Sequence, residues 1–403
     1  MNVPKLRFKE FEDEWKDTNL GTLLAFNNGI NADKDSYGHG RKFINVLDIL
    51  NNNSIEYNDI IGSVSVTPKV EEANKVEYGD LLFLRSSETR EDVGKSSVYL
   101  DRNEFALFGG FVIRGKKQAN YHPYFLKLNL EFPKVRNQIG TRAGGSTRFN
   151  VSQSILSSVE VKIPSKDEQS KIAKFIATLD LKIQKQQERI NLFKVQKKGY
   201  MQKIFKQEIR FKNENGGEYP KWKTKVKAAE LFEAISNKNP EEKLPVLSAT
   251  QNQGMVLRDL LNKDMQYSTT NLNSYKIVDI DDFVISLRSF QGGIELSHLR
   301  GLVSPAYTIF RKKNNDVCIN YFKYLFKTET FINQLKTATY GIRDGKSISY
   351  KDFSTLKFDL PSYAEQRKIA GFLSKLDEKI QIEKQKLDSL QEQKKGFMQQ
   401  MFI

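Results

Sequence analysis

The chain has 403 residues, a net charge of +15 and a pI of about 9.4. That length allows two or three domains with cores of their own, and the positive excess favours an anionic partner, most often nucleic acid, over an acidic substrate. The single cysteine, Cys318, excludes a disulfide framework and fits a reducing cytoplasm.

Cys318 itself reads as a small buried hydrophobe in a strand. The opening MNVPKLRFKEFEDEW is charged and has no apolar h-region, so no signal peptide is expected. No apolar run reaches the length that crosses a bilayer. The expectation is a cytoplasmic chain without a membrane partner.

In chain order, residues 1–18 hold Leu6-Arg7-Phe8-Lys9 and Trp15-Lys16. They are echoed by Ile209-Arg210-Phe211-Lys212 and Trp222-Lys223, so these are the lead-in segments of two units. Asn215-Gly216-Gly217 is a flexible junction. Residues 19–160 form a first variable domain. Its short apolar runs broken by turn residues (42–50, 76–87, 96–100, 108–115) predict mainly strands. Residues 122–139 have helical spacing, with Pro133 at a first turn or kink. A Gly-rich basic loop follows at 140–151, and 154–164 leads out. Residues 224–357 repeat this order with different residues: 278–290 answers 76–87, 304–313 answers 109–117, 320–336 answers the helical stretch, and 340–361 answers the Gly-rich loop and exit.

The strongest signal is the repeat that closes each unit. Residues 163–205 and 360–402 align without a gap at an offset of 197, and 20 of the 43 positions are identical. The chain is therefore a tandem duplication of roughly 200 residues per unit. Each copy carries a heptad stripe with steps of 4 and 3. The first runs Ile172, Ile176, Leu179, Ile183, Gln186, Ile190, Phe193, Lys197, Tyr200, Ile204. The second runs Ile369, Leu373, Leu376, Ile380, Glu383, Leu387, Leu390, Lys394, Phe397, Met401. The polar breaks fall at matching places, which predicts that the two stripes bury against each other. Ser165 and Ser362, each followed three residues later by Glu168 or Glu365, predict capping boxes. About 40 residues at 1.5 Å each make a rod of roughly 60 Å. The predicted layout is 1–162 head, 163–206 helix, 207–359 head and 360–403 helix.

Two basic clusters recur in both heads. Leu84-Arg85-Ser86 and Leu287-Arg288-Ser289 end corresponding strands, and polar or glycine-rich loops follow, with Arg90 and Lys95 in one and Gln291 in the other. The Gly-rich loops carry Arg142 and Arg148 in the first head, Arg343 and Lys346 in the second. Arg suits bidentate contact with guanine and Gln suits adenine. Ser and Lys hold phosphate, and a glycine-rich loop lets backbone approach it closely. The alternative is a set of solvated basic loops.

Gly341–Ser347 resembles a P-loop but has three rather than four residues before Gly-Lys. Glu160-Val161-Lys162 has the E-x-K shape of some nucleases, without a preceding Pro-Asp and without repetition in the second copy, so a strand edge is the better reading. His39, His122 and His298 lie far apart, and no Cys/His set has zinc spacing. No catalytic constellation or metal site assembles.

Two divergent heads, each followed by P-x(3)-EQ-x-KIA and a helix ending in KKGYMQKIF or KKGFMQQMF, resemble the specificity subunit of type I restriction–modification enzymes across essentially the whole chain. The matching residues are Pro164, Glu168, Gln169, Lys171, Ile172, Ala173 and Pro361, Glu365, Gln366, Lys368, Ile369, Ala370. The resemblance implies an α+β fold with two mainly-β target recognition domains separated by two long antiparallel coiled-coil helices. It implies that each head reads one half of an asymmetric bipartite double-stranded DNA target. It further implies that the helices fix the spacing and dock two methyltransferase subunits for adenine-N6 methylation. Phe175, Phe372 and the KKGY and KKGF ends are candidates for that contact, the alternative being that the two phenylalanines widen the helix seam. Two motor-nuclease subunits would complete the restriction enzyme. S-adenosylmethionine, ATP and Mg would sit on those partners, with no cofactor or catalysis in this chain. A self-sufficient nuclease or fused methyltransferase is the competing enzyme reading, which the missing cofactor and metal motifs disfavour. A stand-alone DNA-binding regulator is the third, and it would bind tightly without partners.

Overall fold

The computed structural model describes residues 3–238, 244–250, 254–261, 272, 274–286, 293–338 and 348–403. The chain divides into two compact units, one made of residues 1–187 with 385–403, the other of 188–384. The division passes through the two long helices, Lys166–Phe205 and Tyr363–Met401, so each unit owns one head and one end of each helix.

In the first unit a five-stranded sheet has the spatial order Leu24–Asn28, Val112–Lys117, Leu81–Leu84, Ser96–Tyr99, Ser54–Ile55. The inner strands Leu81–Leu84 and Ser96–Tyr99 are wholly buried; the first is a continuous apolar run, as a strand covered on both faces favours. A three-stranded sheet joins Ser63–Val64, Tyr37–Ile44 and Leu107–Phe108. The head is closed at its base by Lys16–Asn19 pairing antiparallel with Glu160–Ile163. Glu160-Val161-Lys162 is thus a strand, and Lys162 donates to Asp17. Pro133 opens a second helix, Pro133–Arg142, after Pro123–Leu130, because a proline at the first helical position loses no hydrogen bond.

The second unit repeats this plan. A four-stranded sheet has the order Phe232–Ile235, Thr308–Lys312, Phe283–Ile285, Ile294–Leu296, and Lys223–Lys227 pairs with Lys357–Leu360 at the base. Its core is rich in phenylalanine, with Phe232 in ring contact with Phe283, Phe310, Phe322, Phe326 and Phe353. The expected flexible junction at Asn215–Gly217 is a turn in which the Asn213 side chain accepts from the amides of Asn215 and Gly217.

Within each unit the helix segments run antiparallel. In the first, Phe175 packs edge-on against Phe397, and Lys394 reaches Asp180. In the second, Tyr200 packs edge-on against Phe372, Lys197 reaches Asp377, and Arg189 reaches the buried Glu383. Every predicted apolar seam position is buried or half-buried: Ile172, Ile176, Leu179, Ile183, Ile190, Phe193 and Tyr200 on one helix, Ile369, Leu373, Leu376, Ile380, Leu387, Leu390 and Phe397 on the other. The stripes do not bury only against each other. Ile172, Ile176, Leu179 and Met401 belong to the core of the first head, and Ile204, Ile369 and Leu373 to that of the second.

Two expectations are corrected. Ser165 and Ser362 do cap their helices, each hydroxyl accepting the amide three residues on. Glu168 and Glu365 do not complete a capping box, because their carboxylates are taken by arginines of the lead-in segments. Cys318 lies in no strand. It is half-buried at the N-cap of the helix Ile319–Leu325.

Candidate nucleic-acid interface

The P-x(3)-EQ motif is the clamp that seats each head on its helix. Glu168, almost wholly buried, holds Arg7 in a fork, with Nε and Nη2 each 2.8 Å from a carboxylate oxygen. Glu365 holds Arg210 in the same fork at 3.1 and 2.8 Å and also accepts from Trp222 Nε1 at 3.1 Å. Planar guanidinium matches carboxylate in this bidentate form. The neighbouring glutamine faces the head. Gln169 Oε1 accepts the His122 amide at 2.8 Å, and its Nε2 donates to the Pro164 carbonyl at 2.9 Å. Gln366 does the same for the Cys318 amide at 2.9 Å and the Pro361 carbonyl at 3.1 Å. His122 and Cys318 stand at the N-caps of matching helices, Pro123–Leu130 and Ile319–Leu325, so the glutamine supplies an acceptor where a helix start leaves amides unpaired.

On that seat, the first head brings its two basic clusters together. The strand Leu81–Leu84 runs on into Ser86–Ser87, which pairs antiparallel with Phe149–Asn150. The Val151 amide donates to the Arg85 carbonyl at 3.0 Å, and Ser86 and Asn150 are joined through their side chains. The loop after the strand and the Gly-rich loop therefore lie side by side, although they are separated by some 60 residues. Gly145, at φ +114, makes the tip of the second loop; a Cβ there would meet the Arg148 carbonyl oxygen at 2.0 Å.

Arg85, Ser86, Arg90 and Arg148 gather around this strand pair. Arg85 Nη1 donates to the Gly110 carbonyl at 3.2 Å. Arg90 lies over the Phe149 ring at 4.5 Å and donates to the Gly140 carbonyl at 3.0 Å. Arg148 is exposed and lies 5.9 Å from the centre of the Phe111 ring. Two expected members sit elsewhere. Lys95 faces Asp92 of its own turn at 4.0 Å. Arg142 is tied to the backbone and hydroxyl oxygens of Ser158 at 2.9 and 3.1 Å, beside the exit strand. In the second head, Arg288, Ser289, Gln291, Arg343 and Lys346 lie outside the described residues, as does Gly341–Ser347.

Three further residues belong to this face, and only one of them had a signal in the sequence. Arg136 donates to the carbonyls of Glu91, Val93 and Gly94 and so pins the loop that bears Arg90. Asn150 joins the two strands, and Phe111 stands exposed among the arginines. The doublet Gly109-Gly110 before Phe111, which breaks an otherwise apolar run, was the available clue.

Phe175 and Phe372, read as docking candidates, are engaged inside their own units. Phe175 meets Phe8 and Phe397, and Phe372 meets Phe211 and Tyr200. The lead-in phenylalanines thus cover them, and the KKGY and KKGF ends supply the opposing rings.

The type I restriction modification DNA specificity domain family matches residues 12–194 and again 200–392. The type I restriction enzyme MjaX specificity subunit of Methanocaldococcus jannaschii, so named provisionally, is 24% identical, with 98% of this chain and 95% of that protein covered. The MjaVIII specificity subunit of the same organism is 25% identical over 68% of this chain and 67% of that protein. Among solved structures, the S subunit of a type I restriction-modification system from M. genitalium matches with a TM-score of 0.56 at 16% identity, covering 100% of this chain and 99% of that one. A chain from a study of complex assembly and conformational transition of the type I R-M system matches with a TM-score of 0.51 at 13% identity, covering 95% and 96%. These two share the fold.

Proposed function

Because the chain belongs to the type I restriction modification DNA specificity domain family, we propose that it is the sequence-reading subunit of such a complex and that each head reads one half of an asymmetric bipartite DNA target. The observation that carries this reading is a repeated framework bearing unlike faces. The clamps Arg7–Glu168 and Arg210–Glu365 and the helix pairs recur position for position, while the loops set on them differ in length and residues. A duplicated scaffold with two different reading surfaces suits a non-palindromic site, since the symmetry of a recognition protein is mirrored in its target.

In this reading the arginines of the first head contact base edges and phosphates. The long helices set the spacing of the half-sites and dock two methyltransferase subunits for adenine-N6 methylation, and two motor-nuclease subunits complete restriction of unmodified DNA. S-adenosylmethionine, ATP and Mg belong to those partners, in the cytoplasm, and this chain contributes recognition without catalysis.

The experiment is methylome sequencing of cells expressing the chain with its methyltransferase partner, against cells lacking the chain. One asymmetric bipartite motif gaining N6-methyladenine on both strands supports the reading. Absence of any motif although the complex forms contradicts it.

A further inference from the structure

We infer that Phe111 reads a thymine in the half-site of the first head, by apolar contact of its ring with the thymine C5-methyl. The inference rests on the proposed recognition role and deepens it by assigning one residue to one base.

Phe111 is 59% exposed, which is unusual for a phenylalanine in a head whose other rings are mostly in cores. Its backbone is fixed from several sides. Its carbonyl accepts the Arg85 amide at 3.0 Å, the Gly110 amide donates to the Ile30 carbonyl at 2.9 Å, the Gly109 amide donates to the Ile44 carbonyl at 3.0 Å, and the Val112 amide donates to the Gly109 carbonyl at 2.9 Å. A Cβ at Gly110 would meet Asn31 Oδ1 at 2.0 Å and displace that side chain. The ring is therefore presented outward from a rigid turn. Such a side chain pays little ordering entropy on contact.

Its surroundings name the partner. Arg85 Nη1 is bound to the carbonyl of the residue just before it, and Arg148 lies over the ring itself. An apolar group flanked by two guanidinium groups and the Ser86–Asn150 pair suits a DNA groove better than a protein core or a lipid surface. Within the major groove the C5-methyl of thymine is the one apolar feature among the four base edges. Among the described residues, the matching position of the second head carries no ring. Ile113 pairs with Phe83, and Thr308 pairs with Ile285; Phe83 and Ile285 are each the third residue of their strands. The position matching Phe111, two residues before the paired one, is Ala306. The assignment is therefore made for the half-site of the first head.

The test uses the full chain in complex with its methyltransferase partner. Phe111→Ala and Phe111→Leu are compared with the parent by methylome sequencing and by methylation rates on duplex oligonucleotides. Because the side chain is exposed, melting temperatures are expected to be unchanged. The expected result is a motif in which a single position of one half-site, a thymine in the parent, becomes degenerate with Phe111→Ala, while Phe111→Leu retains it in part. Uracil at that position should slow the parent about fourfold, the worth of one buried methyl group, and leave Phe111→Ala unaffected. An unchanged motif with Phe111→Ala, relaxation at a base other than thymine, uniform loss of methylation at every site, or a parent indifferent to uracil each overturns the inference. If the parent complex methylates no motif, the recognition reading falls and this assignment falls with it; a parent motif that survives Phe111→Ala defeats only the assignment.

Discussion

The Asp180 carboxylate takes the Lys394 ammonium at 2.6 Å, and 197 residues further on Asp377 takes Lys197 at 2.5 Å. In sequence, Lys197 and Lys394 look like breaks in an apolar stripe. In the fold each finds a carboxylate on the antiparallel helix, and each carboxylate also accepts a tyrosine hydroxyl from its own head, Tyr124 or Tyr324. A polar pair within an apolar seam fixes register, because a shifted alignment would leave a charge unpaired.

Removing that acceptor should loosen head and helix together. Asp180→Ala is expected to destabilise the first unit by about 2 kcal/mol, in the range for losing hydrogen bonds to a charged group. Chemical denaturation followed by a probe in residues 1–187 measures it. Lys394→Met, which removes the charge opposite, should recover part of the loss when combined with Asp180→Ala.

The Arg7–Glu168 fork is the more buried contact, with Glu168 at 1% exposure. Breaking a buried pair by deleting one partner strands the other, at a cost of about 3–5 kcal/mol. Glu168→Ala and Arg7→Ala should each unfold the first unit at markedly lower denaturant. The double variant should be less destabilised than the sum, and a double-mutant cycle reads that coupling.

Much of the framework was legible in the sequence, and the clamps show why it was not legible entirely. The stripe of seam residues repeats every seven, so periodicity alone found both helices. The partners of Glu168 and Gln169 lie 161 and 47 residues away, and nothing local announces them. A capping box was therefore the nearest explanation for Glu168. The tyrosines teach the same lesson: Tyr124 is the second residue of its helix and Tyr324 the sixth of its counterpart, one turn apart, yet they serve matching aspartates. Arg85 and Arg148 could be proposed one by one from their loops. Their meeting depends on a two-residue strand pair too short to carry a pattern.

Acid should weaken the first head through His122. Its Nδ1 accepts the Phe125 amide at 3.4 Å, and burial, then Lys166, Lys117 and Arg102, holds its pKa below the ordinary 6.5. A depressed folded-state pKa means the unfolded chain binds the proton more tightly. The contribution is complete above pH 6.5 and is lost as pH falls through the lower folded value. His122→Asn, which keeps a capping acceptor, should flatten the fall in the denaturation midpoint between pH 7 and pH 5. An equal slope in both proteins would remove His122 as the cause.

Arg85→Ala and Arg148→Ala should alter reading of one half-site only. If either makes bidentate contact with a base, the loss is about 1–3 kcal/mol with relaxed choice at that base; if it contacts phosphate, binding weakens for all sequences and the salt dependence becomes shallower. Fluorescence binding of the methyltransferase complex to target and mismatched duplexes, over a salt series, separates the two.

The central claim, that unlike heads on a repeated framework read unlike half-sites, can be tested by making the heads alike. The bases of the two heads match, since the Leu20 amide donates to the Val159 carbonyl at 2.9 Å and the Ala228 amide donates to the Leu356 carbonyl at 2.8 Å. Replacing residues 20–159 with residues 228–356 of the same chain gives two copies of the second head on unaltered helices. Methylome sequencing of cells carrying this chain and its methyltransferase partner should yield a palindromic motif, the second half-site repeated in inverted order across a spacer of the original length. Persistence of the original asymmetric motif would contradict the account.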